Sequence, residues 1–435
     1  MDATRSHCSD IFDVAIVGGG IAGVICLYYA KRAGLRTIVI EKQTEVGGLW
    51  ARLPAWQDIQ ISPYDWTLGE LPLTGVFQAD IAANIRAWVT RFDLADSIRL
   101  GTAVRRIQET ENSWQLLTDA GMYRCKHLIC ATGSNNTAYI PPVARRAPAV
   151  PEVHSLDLHD PQTIAGQRVV VVGGGSSAFD LLDLAIKHGA KRIVWVYRGI
   201  RWMMPTRGSK QFPGYLRRLA RWQMLGLSLD DLNDEINKVL RRRYEKFGLD
   251  DILPEESFDL RKDPVIPGRR LMIRHFNRIE RVIGDVSEIS GRNVGLSTGD
   301  TVEADLVLWA TGYDMDLSFF DAPSISGCRR LSDLASRCGS IFVSLDAQRL
   351  YFPGVMLEGA GSAPWAFAYA GRTVIAHIQE RIRLDAQPGP VPVGDFELIK
   401  FLANRDPSNF SQQDWAATLR TLLALPEHIP LPIPQ

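Results

Sequence analysis

The sequence predicts an α/β fold built around two nucleotide-binding βαβ units, and three observations carry that reading. A β-branched run passes straight into a glycine-rich turn twice. Phe12-Asp-Val-Ala-Ile-Val17 enters Gly18-Gly-Gly-Ile-Ala-Gly23, and Arg168-Val-Val-Val-Val172 enters Gly173-Gly-Gly-Ser-Ser-Ala178. Each turn opens a helical pattern that leads into a second strand. Two later strands end in one shared tripeptide, Ala131-Thr-Gly133 and Ala310-Thr-Gly312.

Taken in order, residues 22–33 carry the first helix, which Gly34 closes, and 36–40 the second strand, which ends at Glu41. A small β-ribbon over about 112–124 precedes the strand His127-Leu-Ile-Cys130. The second unit has its helix over about 177–188, closed by Gly189, and its next strand at Arg192-Ile-Val-Trp-Val196. Helices are expected at 215–222 and 229–247, then a ribbon within 282–302 and the strand Asp305-Leu-Val-Leu-Trp309. A helix from Trp365 to about Arg383 precedes a Pro-rich linker at 387–392.

At 435 residues the chain exceeds one ordinary core. Lys+Arg and Asp+Glu balance at 49 each, so nothing points to nucleic acid or an anionic surface. No apolar run reaches the roughly 18 residues a membrane-spanning helix needs, and the start MDATRSHCSD lacks a signal-peptide core. A cytoplasmic protein without a membrane anchor is expected, and a homodimer is left open. The cysteines Cys8, Cys26, Cys125, Cys130, Cys328 and Cys338 form no Cys-x-x-Cys pair, which argues against a zinc site or redox dithiol.

In the first unit Gly18 permits the tight turn, Gly20 lets the backbone approach a pyrophosphate, and Gly23 lets the helix pack on the sheet. The pyrophosphate rests on the helix N-terminus. Glu41, about 20 residues on, stands where an acid accepts from a ribose diol. In the second unit Gly173, Gly175 and Ala178 repeat the pattern, but no acid follows Val196. The chain reads Tyr197-Arg-Gly-Ile-Arg-Trp202. An arginine at that strand end suits a 2′-phosphate, so Arg198, helped by Arg201, marks a site for NADP(H). One acid-marked and one arginine-marked site imply electron flow from NADPH to a bound FAD.

These residues resemble the class B flavoprotein monooxygenases, closest to the flavin-containing monooxygenases. The resemblance runs to about Glu380. It rests on both glycine-rich turns, on Glu41 through Gly47-Gly-Leu-Trp50, on Phe92-Asp-Leu94, and on Pro141-Pro142. It continues through Arg198-x-x-x-Trp202, Phe247-Gly-Leu249 and Asp305-Leu-Val-Leu-Trp-Ala-Thr-Gly-Tyr313. It implies a two-dinucleotide-binding-domain flavoprotein: an FAD domain over 1–155 and 305–386, an NADP domain over 156–304 with a helical insert at about 205–268, and a tail over 387–435. It further implies FAD contacts at Ile21, Ala22, Lys42, Gly48, Leu49, Trp50, Val104, Ala131, Thr132 and Gly133. Ser176, Ser177, Thr311 and Gly312 are the further contacts implied around the second turn. The implied chemistry is NADPH reduction of FAD, then reaction with O2 to a C4a-(hydro)peroxyflavin that oxygenates a small-molecule substrate at N or S or by hydroxylation.

Two departures qualify this. Of the family's Phe-x-Gly-x-x-x-His signature, His154 is kept, while Pro148 and Val150 fill the Phe and Gly places. The loop Gln60-Ile-Ser-Pro-Tyr-Asp-Trp66 lacks the asparagine the family sets near the flavin, leaving Ser62 as the nearest equivalent and candidate catalytic residue. Trp365 and Tyr369 are candidates for the substrate pocket, and Trp202, Trp222 and Tyr244 for the walls of a lid. Trp50 stands where disulfide reductases carry a thiol, which shifts the expected electron acceptor from sulfur to dioxygen. An NADPH-dependent flavin reductase or oxidase, and a flavin-binding protein without turnover, are the alternatives.

Overall fold

The structure, a computed structural model, describes residues 11–59, 71, 73–204, 229–259, 266–330, 333–334, 336–339, 343–353 and 363–381. Ser62, Trp222 and the expected helix at 215–222 lie outside them, as do the linker and tail. Trp365 and Tyr369 fall in the helix Ala363–Ile378, but their side chains lie outside the described set.

Strand β1 (Ile11–Val17) lies between β2 (Thr37–Ile40) and β6 (Gly121–Cys130), all parallel. Val17 pairs with Ile40 on one side and Cys130 on the other, so the three strands finish together at one edge. Val14 to Val17 and all of β2 are buried, the unbroken apolar run expected of a parallel strand covered on both faces. Strand β3 (Ile98–Arg99) extends one side, and Leu350–Tyr351 returns from far along the chain to pair with β6 on the other. Strands β4 (Val104–Glu109) and β5 (Trp114–Thr118) fold antiparallel onto β6, so the expected ribbon has one strand more than its sequence limits suggested.

Helix α1 (Ile21–Arg32) is buried from Ile21 to Ala30, which a single sheet face cannot achieve. Ala363–Ile378 covers its other side. A Cβ on Gly371 would come 3.2 Å from Cys26 Sγ, tighter than an ordinary contact, so glycine there favours the close approach of the two helices. Helix α2 (Gln78–Arg91) buries Ile81, Ile85 and Trp88 on one stripe.

The second sheet is wholly parallel, in the order Ile279–Ile283, Arg192–Tyr197, Arg168–Val172, Leu306–Trp309, Glu152–His154. It therefore takes in strands on both sides of the limits 156–304. Helix α3 (Ser176–Lys187) covers it, burying Phe179 edge-on against Trp195. Val286–Ser290, Asn293–Leu296 and Thr301–Glu303 make the second ribbon, joined by Ala144–Arg146 in a separate sheet.

Helix Leu229–Phe247 forms as expected. Trp202 and Tyr244 do not line a channel: both are buried, and Trp202 meets Tyr244 and Phe258 edge-on at 5.8 and 6.3 Å. The Met203 N–H donates to the Tyr244 hydroxyl at 3.0 Å, satisfying the ring's one polar atom inside this small core. Among the described residues, no helix is long and apolar enough to cross a membrane, and no cluster could hold a metal ion.

Candidate active site

The first glycine-rich turn is shaped by contacts that exclude a side chain. Gly18 has φ +108°, and a Cβ there would stand 2.5 Å from the Ala131 carbonyl oxygen. Gly173 repeats this in the second unit, at 2.2 Å from the Ala310 oxygen. The recurring Ala-Thr-Gly is thus the neighbouring strand end on which each turn rests. Gly23 sits beneath the turn, its Cβ position 1.9 Å from the Gly18 oxygen.

Above the first turn opens a cavity of about 540 Å³, within the range of small-molecule sites. Gly18, Gly20, Ile21, Ala22, Glu41, Lys42, Gly48, Leu49, Trp50, Val104, Ala131, Thr132 and Gly133 line it. Ile21 and Ala22 form the first turn of α1, which carries no acidic side chain and so keeps the helix's positive end for an anion. Gly47 also lines the cavity, and the Gly47-Gly48 pair packs on the glycine turn as well: Gly47 N–H donates to Gly19 O at 2.9 Å, and Gly20 Cα lies 2.9 Å from the Gly48 Cβ position.

Glu41 is 4% exposed. One carboxylate oxygen accepts from the Gln43 N–H at 2.7 Å and the other from the Gly19 N–H. Those two bonds fix its direction and leave lone pairs for a ligand. Asp316, also on the cavity, is held below the usual carboxylate range, chiefly by the Ser318 hydroxyl and also by Lys42. Cys130 is the one cysteine on this wall among the described residues, and burial pushes its thiol up to about 11. No thiolate therefore faces the cavity from it, and Trp50 supplies none.

The far wall comes from residues with no motif: Met315, Leu317, Phe319, Leu334, Phe352 and Phe367. They are apolar residues on short segments distant in sequence, indistinguishable there from ordinary core. Arg52 and Asn136 also line the cavity. Arg52 donates to Asn136 O at 3.2 Å, and the Asn136 side chain accepts from the Asp316 N–H at 3.0 Å.

Around the second turn, nothing approaches within 4 Å of the Gly175 Cβ position, which leaves that face open. Ser176, Ser177 and Ala178 begin α3, again without an acid in the first turn. Arg198 directly follows the strand Arg192–Tyr197 with an exposed side chain, and the Arg201 N–H donates to Gly174 O at 3.2 Å. Thr311 and Gly312 serve the connection between sheets. The Thr311 hydroxyl donates to Tyr139 O, and Gly312 O accepts from the Tyr139 N–H at 3.0 Å. His154 Nδ1 accepts from the Leu156 N–H at 3.2 Å, so Nε2 carries the proton and donates to Gly312 O at 3.0 Å. Burial lowers its pKa in the same direction, and the imidazole is neutral.

One buried ion cluster was not visible in the sequence. Arg269 bonds Asp58, on the loop after Trp50, and Asp180, on α3. Gln57 donates to the second Asp180 oxygen at 3.0 Å. Asp183, one turn on, accepts from the Leu271 and Met272 amides at 2.6 and 2.8 Å. A lone Arg-Arg pair at 269–270 gives no signal of this role.

Residues 15–223 match the family model described as pyridine nucleotide-disulphide oxidoreductase. Flavin-containing monooxygenase 5 of Homo sapiens is 24% identical over 345 residues, covering 71% of this chain and 63% of that protein. The chain is thus similar to flavin-containing monooxygenases of the class B group. It spans about 63% of the length of this curated relative. Among solved structures of the group, the open crystal structure of cyclohexanone monooxygenase has a TM-score of 0.67 at 16% identity, over 96% of this chain and 98% of that one. The OTEMO complex with FAD and NADP gives 0.64 at 15% identity, over 85% of each chain. The fold is thus the two-dinucleotide-binding-domain flavoprotein architecture expected from the repeated βαβ unit.

Proposed function

We propose that this chain is an NADPH-dependent FAD monooxygenase that adds one oxygen atom of O2 to a small molecule at a nitrogen or sulfur centre. One observation carries the reading. The cavity joins a helix N-terminus, a buried acid and an apolar wall, and the one cysteine lining it among the described residues is a buried, protonated thiol. FAD bound there would take two electrons from NADPH and activate dioxygen.

The chain's own residues fit that group. Glu41 accepts from the ribose hydroxyls, its carboxylate aimed by Gly19 and Gln43. The first-turn amides of α1 receive the pyrophosphate. Phe319, Phe352 and Phe367 exclude water from the cavity, which strengthens every polar contact inside it. Arg198 binds the 2′-phosphate of NADPH, and the open face at Gly175 admits its pyrophosphate. On this reading the first sheet is the FAD unit and the second the NADP unit. A soluble location in the cytoplasm belongs to the same proposal.

The test reduces the flavin-loaded protein anaerobically with NADPH, then admits isotopically labelled O2 with a tertiary amine or a thioether. Bleaching of the flavin and label in the amine oxide or sulfoxide are expected. Bleaching with stoichiometric peroxide and unlabelled product would make the chain an oxidase or reductase. No bleaching would make it a binding protein.

A further inference from the structure

We propose that Asp285 is a specificity-determining residue that weakens selection for a 2′-phosphate by competing for Arg198, so that the second site accepts NADH as well as NADPH. The proposal rests on the reading of that site as the nicotinamide nucleotide site.

Strands Arg192–Tyr197 and Ile279–Ile283 run parallel, with Tyr197 opposite Ile283. Both therefore leave the sheet at the carboxyl edge, where this class of fold binds nucleotides. The ladder continues one step further, as the Gly284 N–H donates to Tyr197 O at 2.9 Å. That bond places Asp285 beside Arg198. Ser297 then pins the Asp285 backbone: its hydroxyl accepts from the Asp285 N–H at 2.9 Å, and its N–H donates to Asp285 O at 2.8 Å. The carboxylate reaches Arg198 Nε at 3.4 Å. Ile283 is 68% exposed at the same edge, an apolar surface on which a purine ring can lie. The next cation on that strand, Arg281, is engaged elsewhere, with Asp251 at 3.1 Å.

An exposed pair of this kind contributes little to folding, so stability does not explain its place. Its chemistry bears on the ligand. A 2′-phosphate carries between one and two negative charges near neutral pH and binds arginine through a charged fork. To bind here it must take Arg198 from a carboxylate and then sit beside that carboxylate. A ribose 2′-hydroxyl meets no such cost, because it donates to an acid, the role an acid plays in NAD sites. Asp285 thus penalises NADPH and supports NADH, while Arg198 does the reverse.

The test compares the flavin-loaded protein with its Asp285→Asn and Arg198→Ala variants. Binding of 2′,5′-ADP and of ADP is measured by calorimetry, alongside kcat/KM for NADPH and NADH. Asparagine keeps the Ser297 backbone bonds and removes only the charge. Asp285→Asn should tighten 2′,5′-ADP about threefold, leave ADP equal or weaker, and raise the NADPH to NADH ratio about threefold, the scale of one exposed charge pair. Unchanged selectivity in Asp285→Asn, with 2′,5′-ADP weakened in Arg198→Ala, would overturn the role of Asp285 alone. If Arg198→Ala leaves 2′,5′-ADP binding unchanged, the reading of the site fails first, and this proposal with it.

Discussion

Replacing Arg269 by methionine keeps much of the side chain's volume and removes the charge that pairs with both Asp58 and Asp180. The side chains of Arg269, Asp58 and Asp180 are 14%, 26% and 8% exposed, so water relieves little of what is left. Breaking a buried pair by removing one partner costs about 3–5 kcal/mol, and the partial exposure of Asp58 sets the expectation near the lower end, about 3 kcal/mol. Part of the loss is returned by protonation. Burial already raises the Asp180 pKa in the native protein, and without Arg269 it rises further. A carboxyl whose folded pKa lies above its unfolded value binds more protons when folded. The variant's deficit should therefore shrink as pH falls through the folded pKa towards the ordinary carboxylate value. Urea unfolding followed by flavin release and by far-ultraviolet circular dichroism, between about pH 7 and pH 5, measures both effects. Adding Asp58→Asn and Asp180→Asn should recover more than half of the loss, since the penalty lies in uncompensated charge. A loss below about 1 kcal/mol, or one that grows on acidification, would refute this account of the cluster.

Arg198→Ala should raise KM for NADPH far more than it changes kcat, measured by steady-state kinetics, because the group binds the nucleotide equally before and during hydride transfer. Gly18→Ala should abolish flavin retention, read from the absorbance of the purified protein, since its Cβ meets the Ala131 oxygen at 2.5 Å at φ +108°. His127, bonded to the Tyr351 hydroxyl at 3.1 Å, has its pKa pushed down to about 4 by burial. Its folded pKa lies below the unfolded value, so stability present above about pH 6.5 is lost as pH falls towards 4, by about 1–2 kcal/mol after solvent screening. His127→Gln should flatten that acid limb in pH-dependent unfolding.

What the sequence disclosed and what it hid divide along a physical line. Gly18, Glu41, Gly173 and the two Ala-Thr-Gly runs are legible because a backbone forced into close approach accepts few residue types, and that restriction is local in the chain. The wall formed by Met315, Phe319, Phe352 and Phe367 is not legible. An apolar side chain facing a ligand obeys the same composition rule as one facing the core, and only the fold brings those four together. Trp202 and Tyr244 show the converse error. Aromatic residues near an amphipathic helix suggested a channel wall, yet each has its partners inside a closed core. Arg269 carried no pattern because its two acids come from segments on either side of it in space, at positions 58 and 180.

The repeated tripeptide is the clearest case of a sequence signal whose cause lies in packing. Ala131 and Ala310 each bring a carbonyl oxygen within 2.2–2.5 Å of where a Cβ would stand on Gly18 or Gly173. Each oxygen belongs to the strand paired in parallel with the one that enters the turn, β6 with β1 and Leu306–Trp309 with Arg168–Val172. The turn is thus held from the side by its neighbour. A larger residue at the first glycine would push that strand end away as well as strain the turn. Beyond the contact the two tripeptides serve differently. Thr132 and Gly133 border the large cavity, whereas Thr311 and Gly312 are bonded to Tyr139 and His154 in the crossing between sheets. One local packing rule, copied with the βαβ unit, therefore borders the large cavity in the first half and a joint between the halves in the second. A shared motif identifies the common contact and leaves the role of its last two residues to their surroundings.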